Sequence, residues 1–183
     1  LEAISFSHSS ILNISNVARE CSIERKVVEG YVKILEDILL AFRILVFTRR
    51  AQRALVSHPK FYFFDTGVFR TLRPRDPLDR PEEIEGAALE GLVAQHLRAW
   101  IAYQGNKYEL FFWRSRAGVE VDFILYGEQG IFAIEVKNSN RIRAEDLRSL
   151  NAFRQDYPQN HSIKSKFPMD CRTIDNGGDI RNR

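Results

Sequence analysis

The run VEVDFILYGEQGIFAIEVK, Val119 to Lys137, is two β-forming segments joined by a glycine-bounded turn, and it sets a strand register without help from the rest of the chain. If Tyr126 and Ile131 close the loop Gly127-Glu128-Gln129-Gly130, pairing outward sets Asp122 opposite Glu135 and Glu120 opposite Lys137. Directly opposed side chains have Cβ atoms roughly 5 Å apart, so two carboxylates meet there and repel unless a cation lies between them. Val121, Phe123, Ile134 and Val136 occupy the alternate face, as in the central pair of a sheet covered on both sides. Charge inside such strands gives a fold nothing. Asp122, Glu135 and Lys137 are therefore candidate site residues; the plain alternative is a structural remnant in which Lys137 pairs with Glu120.

Two carboxylates beside a lysine suit metal-assisted attack of water on a phosphodiester. Carboxylates hold Mg²⁺ or Mn²⁺ in preference to zinc, the ion polarises the phosphate, and the lysine positions the water or stabilises developing charge. Glu90 is a candidate third oxygen ligand. At 100° per residue it falls among Gly86, Ala87, Val93, Ala94, Leu97 and Ile101, the apolar face of its helix, where a glutamate needs a partner. An arginine, Arg114 or Arg116, is the bland choice for that partner.

The remaining chemistry is constrained mostly by what is lacking. The longest apolar runs, such as ILLAF and FYFF, are far short of the roughly 20 residues of a membrane span. Cys21 and Cys171 are too few and too distant for a disulfide framework or a cysteine zinc site, and His8, His58, His96 and His161 have no ligand spacing. The expectation is a soluble, cytoplasmic protein with free thiols and no membrane partner. A net charge of +3 does not by itself mark a nucleic-acid binder, but no acidic residue falls between Asp37 and Asp65, while Arg43, Arg49, Arg50, Arg53 and Lys60 do.

That basic stretch sits between two predicted strands, Phe42 to Phe47 and Lys60 to Phe64, which follow two predicted helices. The second helix is expected from Ile23 to Ala41, with Ser22 as N-cap and Val27, Val28, Tyr31, Ile34, Leu35 and Ile38 as one buried stripe. Two helices and a β-ribbon outline a winged helix-turn-helix over residues 1–70. In it Arg25, Lys26, Arg43, Arg49, Arg50 and Arg53 would contact DNA phosphates, although Glu24 and Glu29 on the same helix oppose them, and a protein partner stays an alternative. The proline-rich text TLRPRDPLDRP reads as a linker over 71–81. A second domain, 82–158, follows as helix, three strands (Tyr108 to Trp113, Val119 to Tyr126, Ile131 to Val136) and an amphipathic helix from Ala144 to Tyr157. Arg114 and Arg116, beside Trp113, are further candidates for a nucleic-acid backbone, or else belong to a solvated turn. Residues 159–183 read as an irregular tail. The fold class is mixed α/β.

Glu90 on the helix, Asp122 on one strand and Glu135-Val136-Lys137 on the next resemble the PD-(D/E)xK signature of the restriction-endonuclease-like superfamily, whose core runs α-β-β-β-α-β. The wider text GALEGLVAQHL, FFWRSRAGVEVDFIL and IFAIEVKNS, preceded by KFYFFDTGVFR and the region from Ile14 to Leu40, resembles the DUF4143 family over about Ile11 to Pro158. The resemblance implies the C-terminal part of a bacterial or archaeal AAA-type ATPase, with an N-terminal ATPase domain and nucleic acid as partners. It places Asp122, Glu135 and Lys137 in catalytic positions, Glu90 in an accessory one, and Mg²⁺ or Mn²⁺ as cofactor. No GxxxxGK[ST] run occurs in these 183 residues, and the text after Pro158 lacks the apolar strand that should complete the core.

Overall fold

Short polar caps and left-handed residues cut this chain into helices and strands at positions that can be followed one by one. The computed structural model describes residues 1–77, 79–139 and 143–158, and the backbone of three further strands at 162–164, 172–174 and 180–182. Contacts group into a first unit, residues 1–44 and 58–95, and a second, residues 45–57 and 96–183. The secondary structure is mixed α/β.

In the first unit α1 (Glu2–Ser5) and β1 (Ser10–Ile11) precede α2 (Ile14–Glu20) and α3 (Arg25–Asp37), then β2 (Ala41–Val46) and β3 (Lys60–Phe63). Asn13 starts α2, its side chain accepting the Asn16 N–H at 3.1 Å. α3 is shorter than its periodicity suggests. Ser22 is not its cap: it takes a left-handed φ of 54°, and Glu24 stands at the N-cap without a side-chain hydrogen bond. The helix ends at Asp37 because Ile38 leaves the helical region and Leu39 turns left-handed at φ 59°. The expected stripe also divides in two. Val28, Val32 and Leu35 are buried, whereas Val27, Tyr31, Ile34 and Ile38 are exposed.

β3 lies between β1 and the first four residues of β2, antiparallel to both. Asp65 then caps α4 (Thr66–Leu72) by accepting the Val68 N–H at 2.9 Å, between the expected strand and the linker read over 71–81, where no helix was expected. α5 (Pro81–Tyr103) begins with Glu82 and Glu83 in its first turn, where the helix dipole favours carboxylates. Its residues up to 95 belong to this unit and supply Ala88 to a core that includes Ile4, Leu12, Val32, Phe61 and Phe69.

His8 is buried in the same unit, stacked on Phe69 with ring centroids 3.9 Å apart, and its Nδ1 accepts the Phe63 N–H at 3.0 Å. α5 comes so close that a Cβ on Gly91 would stand 2.5 Å from His8 Nε2, so only glycine fits there.

In the second unit β4 (Tyr108–Arg114), β5 (Glu120–Gly127) and β6 (Gly130–Ile134) form an antiparallel meander, with a register shift in β4–β5 between Phe111 and Trp113. Leu45 and Val46 of β2 pair parallel to β4. The β5–β6 register is the expected one, Tyr126 opposite Ile131 and Phe123 opposite Ile134. A 3-10 turn (Ala144–Leu147) leads into α6 (Arg148–Asp156), whose Leu150 and Phe153 pack with Phe47, Trp113, Val121, Ile124 and Ala133. The stretch read as an irregular tail contains β7 (Ser162–Lys164), parallel to β6, then β8 (Arg172–Ile174) and β9 (Ile180–Asn182), antiparallel in turn. Cys21 is an exposed free thiol; Cys171 and His161 lie outside the described residues. No described helix is long and apolar enough to cross a membrane.

The His8 environment gives stability a pH dependence. Burial pushes the imidazole down from 6.5 to about 4, against the opposing pull of the Glu90 charge and the Ala87 carbonyl. Above pH 6.5 His8 is neutral in both the folded and unfolded chain; between 6.5 and about 4 only the unfolded chain takes up the proton, so folding weakens as pH falls. Denaturant titrations from pH 7 to 4 should show a loss on the order of 3 kcal/mol attributable to this group, which His8→Gln removes from the pH profile.

Candidate functional site

The β5–β6 ladder stops at Phe123 opposite Ile134, one step short of the predicted Asp122–Glu135 pair. Two carboxylates in register at the ladder's end would repel, and the chain relieves this by leaving strand geometry. Asp122 Oδ2 accepts the Val136 N–H at 2.7 Å, so a side chain occupies the hydrogen-bonding position a continued strand would use. Glu135 is 8% exposed, so its charge needs donors, and Lys137 and Ser149 are among them. Oε1 lies 2.9 Å from Lys137 Nζ, and Oε2 accepts the Ser149 Oγ hydroxyl, at the start of α6, at 3.0 Å.

The Lys137 ammonium is itself partly buried. Burial alone would lower its pKa, but the hydrogen bond and charge of Glu135, with the charges of Asp122 and Asp146, outweigh it and hold the group above its ordinary range. Lys137 is thus held charged by three carboxylates, two of which were predicted. Asp146 and Ser149 were not. The amphipathic pattern of 144–157 identified a helix there, and nothing in it singled out the polar residues of its first turns. Glu120 does not take Lys137 as its recorded partner: Arg114 Nη1 donates to it at 2.9 Å across the β4–β5 ladder, where the two residues are directly paired. A cleft of about 380 Å³ opens here, lined by Glu120, Glu135, Lys137, Asp146, Arg148 and Ser149 among others.

Glu90 is part of the first unit and is held there by two donors, Lys60 Nζ at 2.8 Å and Tyr62 Oη at 2.7 Å. Lys60 is 1% exposed, which makes this a buried ion pair. The partner that an apolar helix face demanded is therefore found, and it is a lysine of β3 rather than Arg114 or Arg116.

The basic residues read as nucleic-acid contacts divide by their partners. Arg25 pairs with Glu29, Arg43 with Glu36, Arg49 with Glu109, Arg53 with Asp156 and Arg114 with Glu120. Arg49 also lies 4.5 Å over the Tyr126 ring, and Arg53 5.5 Å over Trp113, so the loop after β2 lays these two side chains on the second unit's own groups. Lys26, Arg50 and Arg116 have no ion-pair partner among the described residues.

Residues 85–173 match the family model of DUF4143, described as a domain of unknown function. The later part of this chain is similar to DUF4143. Residues 1–79 match another model, DUF8612, also a domain of unknown function, so the text from Ile14 to Arg70 that resembles DUF4143 in sequence falls to a different family model. Neither a curated protein nor a solved structure matches the chain. The cleft, with Glu135, Lys137, Asp146 and Ser149 on its wall, and the neighbouring Asp122 all fall within the residues that match DUF4143.

The donors of this region fit Mg²⁺ or Mn²⁺ in kind, being hard carboxylate oxygens without thiolate or imidazole. Among the described residues no three His, Cys, Asp or Glu side chains are gathered as a complete cage. Mg²⁺ does not require one, since it ordinarily keeps several waters and takes one or two carboxylates together with phosphate oxygens.

Two substitutions separate the roles of the two glutamates. Glu90→Gln leaves the Lys60 ammonium buried without its carboxylate and should cost about 3 kcal/mol in chemical denaturation. Glu135→Gln should instead lower the Lys137 pKa, since it deletes the largest influence raising it. At pH 9 the Lys137 amine should then be acylated faster than in the wild type, read by peptide mass spectrometry after a timed pulse of reagent.

Proposed function

We propose that the region matching DUF4143 carries a metal-dependent phosphodiester-hydrolysing site of the restriction-endonuclease-like kind, and that the chain is the C-terminal, DNA-engaging portion of an AAA-type ATPase, as the sequence resemblance implies. The observation that carries this reading is the gathering of Asp122, Glu135 and Lys137 at one end of the β5–β6 hairpin, with Lys137 held charged by both carboxylates. The order along the chain supports it: α5, β4, β5, β6, α6 and β7 follow one another, with β7 parallel to β6, in the α-β-β-β-α-β sequence that the superfamily implies.

In this reading Asp122 and Glu135 hold Mg²⁺ or Mn²⁺, which when bound polarises the phosphate and lowers the pKa of its water. Lys137 supplies a positive charge for a phosphoryl oxygen, fixed in place by its ion pair with Glu135. Ser149 keeps Glu135 in place from α6, and the Val136 N–H does the same for Asp122. Glu90, held by Lys60 and Tyr62, has no part in the proposed chemistry. Arg50 and Arg116 are the basic residues proposed to meet the nucleic-acid backbone.

A second reading, a non-catalytic module that recognises DNA or regulates the ATPase, is favoured by one specific observation. Both oxygens of Glu135 already have protein donors, as a purely structural carboxylate would.

Incubation with plasmid DNA and Mg²⁺ or Mn²⁺ distinguishes the two. Under the first reading the wild type cleaves, Asp122→Asn and Lys137→Ala lose at least about 100-fold in rate, and Asp122→Asn removes calorimetric metal binding. Absence of cleavage together with absence of metal binding, or cleavage that survives both substitutions, selects the second.

A further inference from the structure

α3 carries two apolar faces, and this chain fills only one. Val28, Val32 and Leu35 are buried in the first unit's core. Val27, Tyr31, Ile34 and Ile38 are 43%, 60%, 52% and 57% exposed, and they recur at spacings of four, three and four along a second face. Ile23 and Leu40, each 41% exposed, follow at the two ends. Single exposed apolar residues need no explanation, but a continuous stripe of them marks a surface that something covers.

Gly30 lies on the edge of that stripe, in the interior of the helix, where glycine costs roughly 0.5–1 kcal/mol relative to alanine. A Cβ built on it would meet nothing within 4 Å, so no neighbour among the described residues requires the smaller residue. A glycine at that place allows the backbone of a second helix to approach closely.

The charges beside the stripe indicate what that helix is. Lys26, near the start of α3, and Asp37, its last residue, share the flank turned away from the buried face, and neither has an ion-pair partner among the described residues. We propose that a second copy of this chain covers the stripe, with its α3 antiparallel to the first about a two-fold axis. Such an axis sets equal flanks together and opposite ends level. Val27 then lies beside Ile38 of the second copy and Tyr31 beside Ile34, while Lys26 faces Asp37 twice, once in each direction. Lys26 and Asp37 thereby each gain a partner, while Lys33, on the same flank, comes close to Lys33 of the second copy and remains in solvent. A nucleic acid on this face would meet apolar side chains and Glu24, and it leaves the stripe unexplained.

Sedimentation equilibrium of the full 183-residue chain tests the pairing. The wild type should show a concentration-dependent dimer. Tyr31→Asp, Lys26→Asp and Asp37→Lys should each weaken it by about tenfold or more, while the double exchange Lys26→Asp/Asp37→Lys recovers affinity to within about threefold of wild type. All these positions are exposed, so circular dichroism should be unchanged. A monomer at every concentration up to about 100 µM overturns the proposal. So does a double exchange as weak as the two single variants combined, because recovery is specific to the antiparallel two-fold arrangement.

Discussion

The hydrogen bond from the Val136 N–H to the Asp122 carboxylate decides where the β5–β6 hairpin ends and what stands at its end. A ladder continued by one residue would oppose Asp122 and Glu135 directly, with like charges roughly 5 Å apart at a place only partly open to solvent. Once Asp122 takes the backbone donor, the strand is interrupted and Glu135 is free to point at Lys137 and Ser149. Each carboxylate thereby acquires a donor of its own. Repulsion that would have destabilised a sheet is converted into a small polar cluster whose parts come from two strands and the first turn of α6.

The same principle, that a carboxylate withdrawn from water must find donors, acts at Glu90 with a different outcome. Its donors, Lys60 and Tyr62, are almost wholly buried side chains on β3, and the unit around them is built from aromatic and aliphatic groups. Breaking such a pair strands the remaining charge, so the arrangement persists even if it contributes little net stability. A buried acid on an apolar helix face is consequently evidence for a partner, and the partner's location decides whether it belongs to a site or to a core.

Strand register was legible because it depends on a turn and a two-residue period, both visible in VEVDFILYGEQGIFAIEVK. The long helix α5 was legible for a similar reason, with carboxylates at its start and a glycine-asparagine stop at Gly105 and Asn106, both left-handed. The orientation of α3 was not. Its apolar residues fill two adjacent faces, and periodicity shows that both exist without ranking them against a core formed by distant residues such as Phe61 and Phe69. Ser22 as the cap of α3 was misjudged and the Asp65 cap of α4 went unread, because several polar residues compete for each helix end. Ion pairing was the least legible property: sequence shows that Arg49 and Arg53 lie in an acid-free stretch, while Glu109 and Asp156, which pair with them, come from β4 and α6.

That pairing changes what the basic stretch can do. A guanidinium engaged with a carboxylate and lying over an aromatic ring has lost most of its long-range field, and the remainder is screened within about 8 Å at physiological ionic strength. Non-specific affinity for DNA rises with the number of phosphates neutralised, and of the basic residues first read as nucleic-acid contacts only Lys26, Arg50 and Arg116 have no ion-pair partner among the described residues. Lys26 lies beside an apolar stripe rather than a basic one. On the proposed reading, selectivity therefore falls less to the basic stretch than to the cleft beside Glu135 and Lys137, where a phosphate would meet an ammonium fixed by Glu135, and where a cation would be needed to reconcile it with the carboxylates.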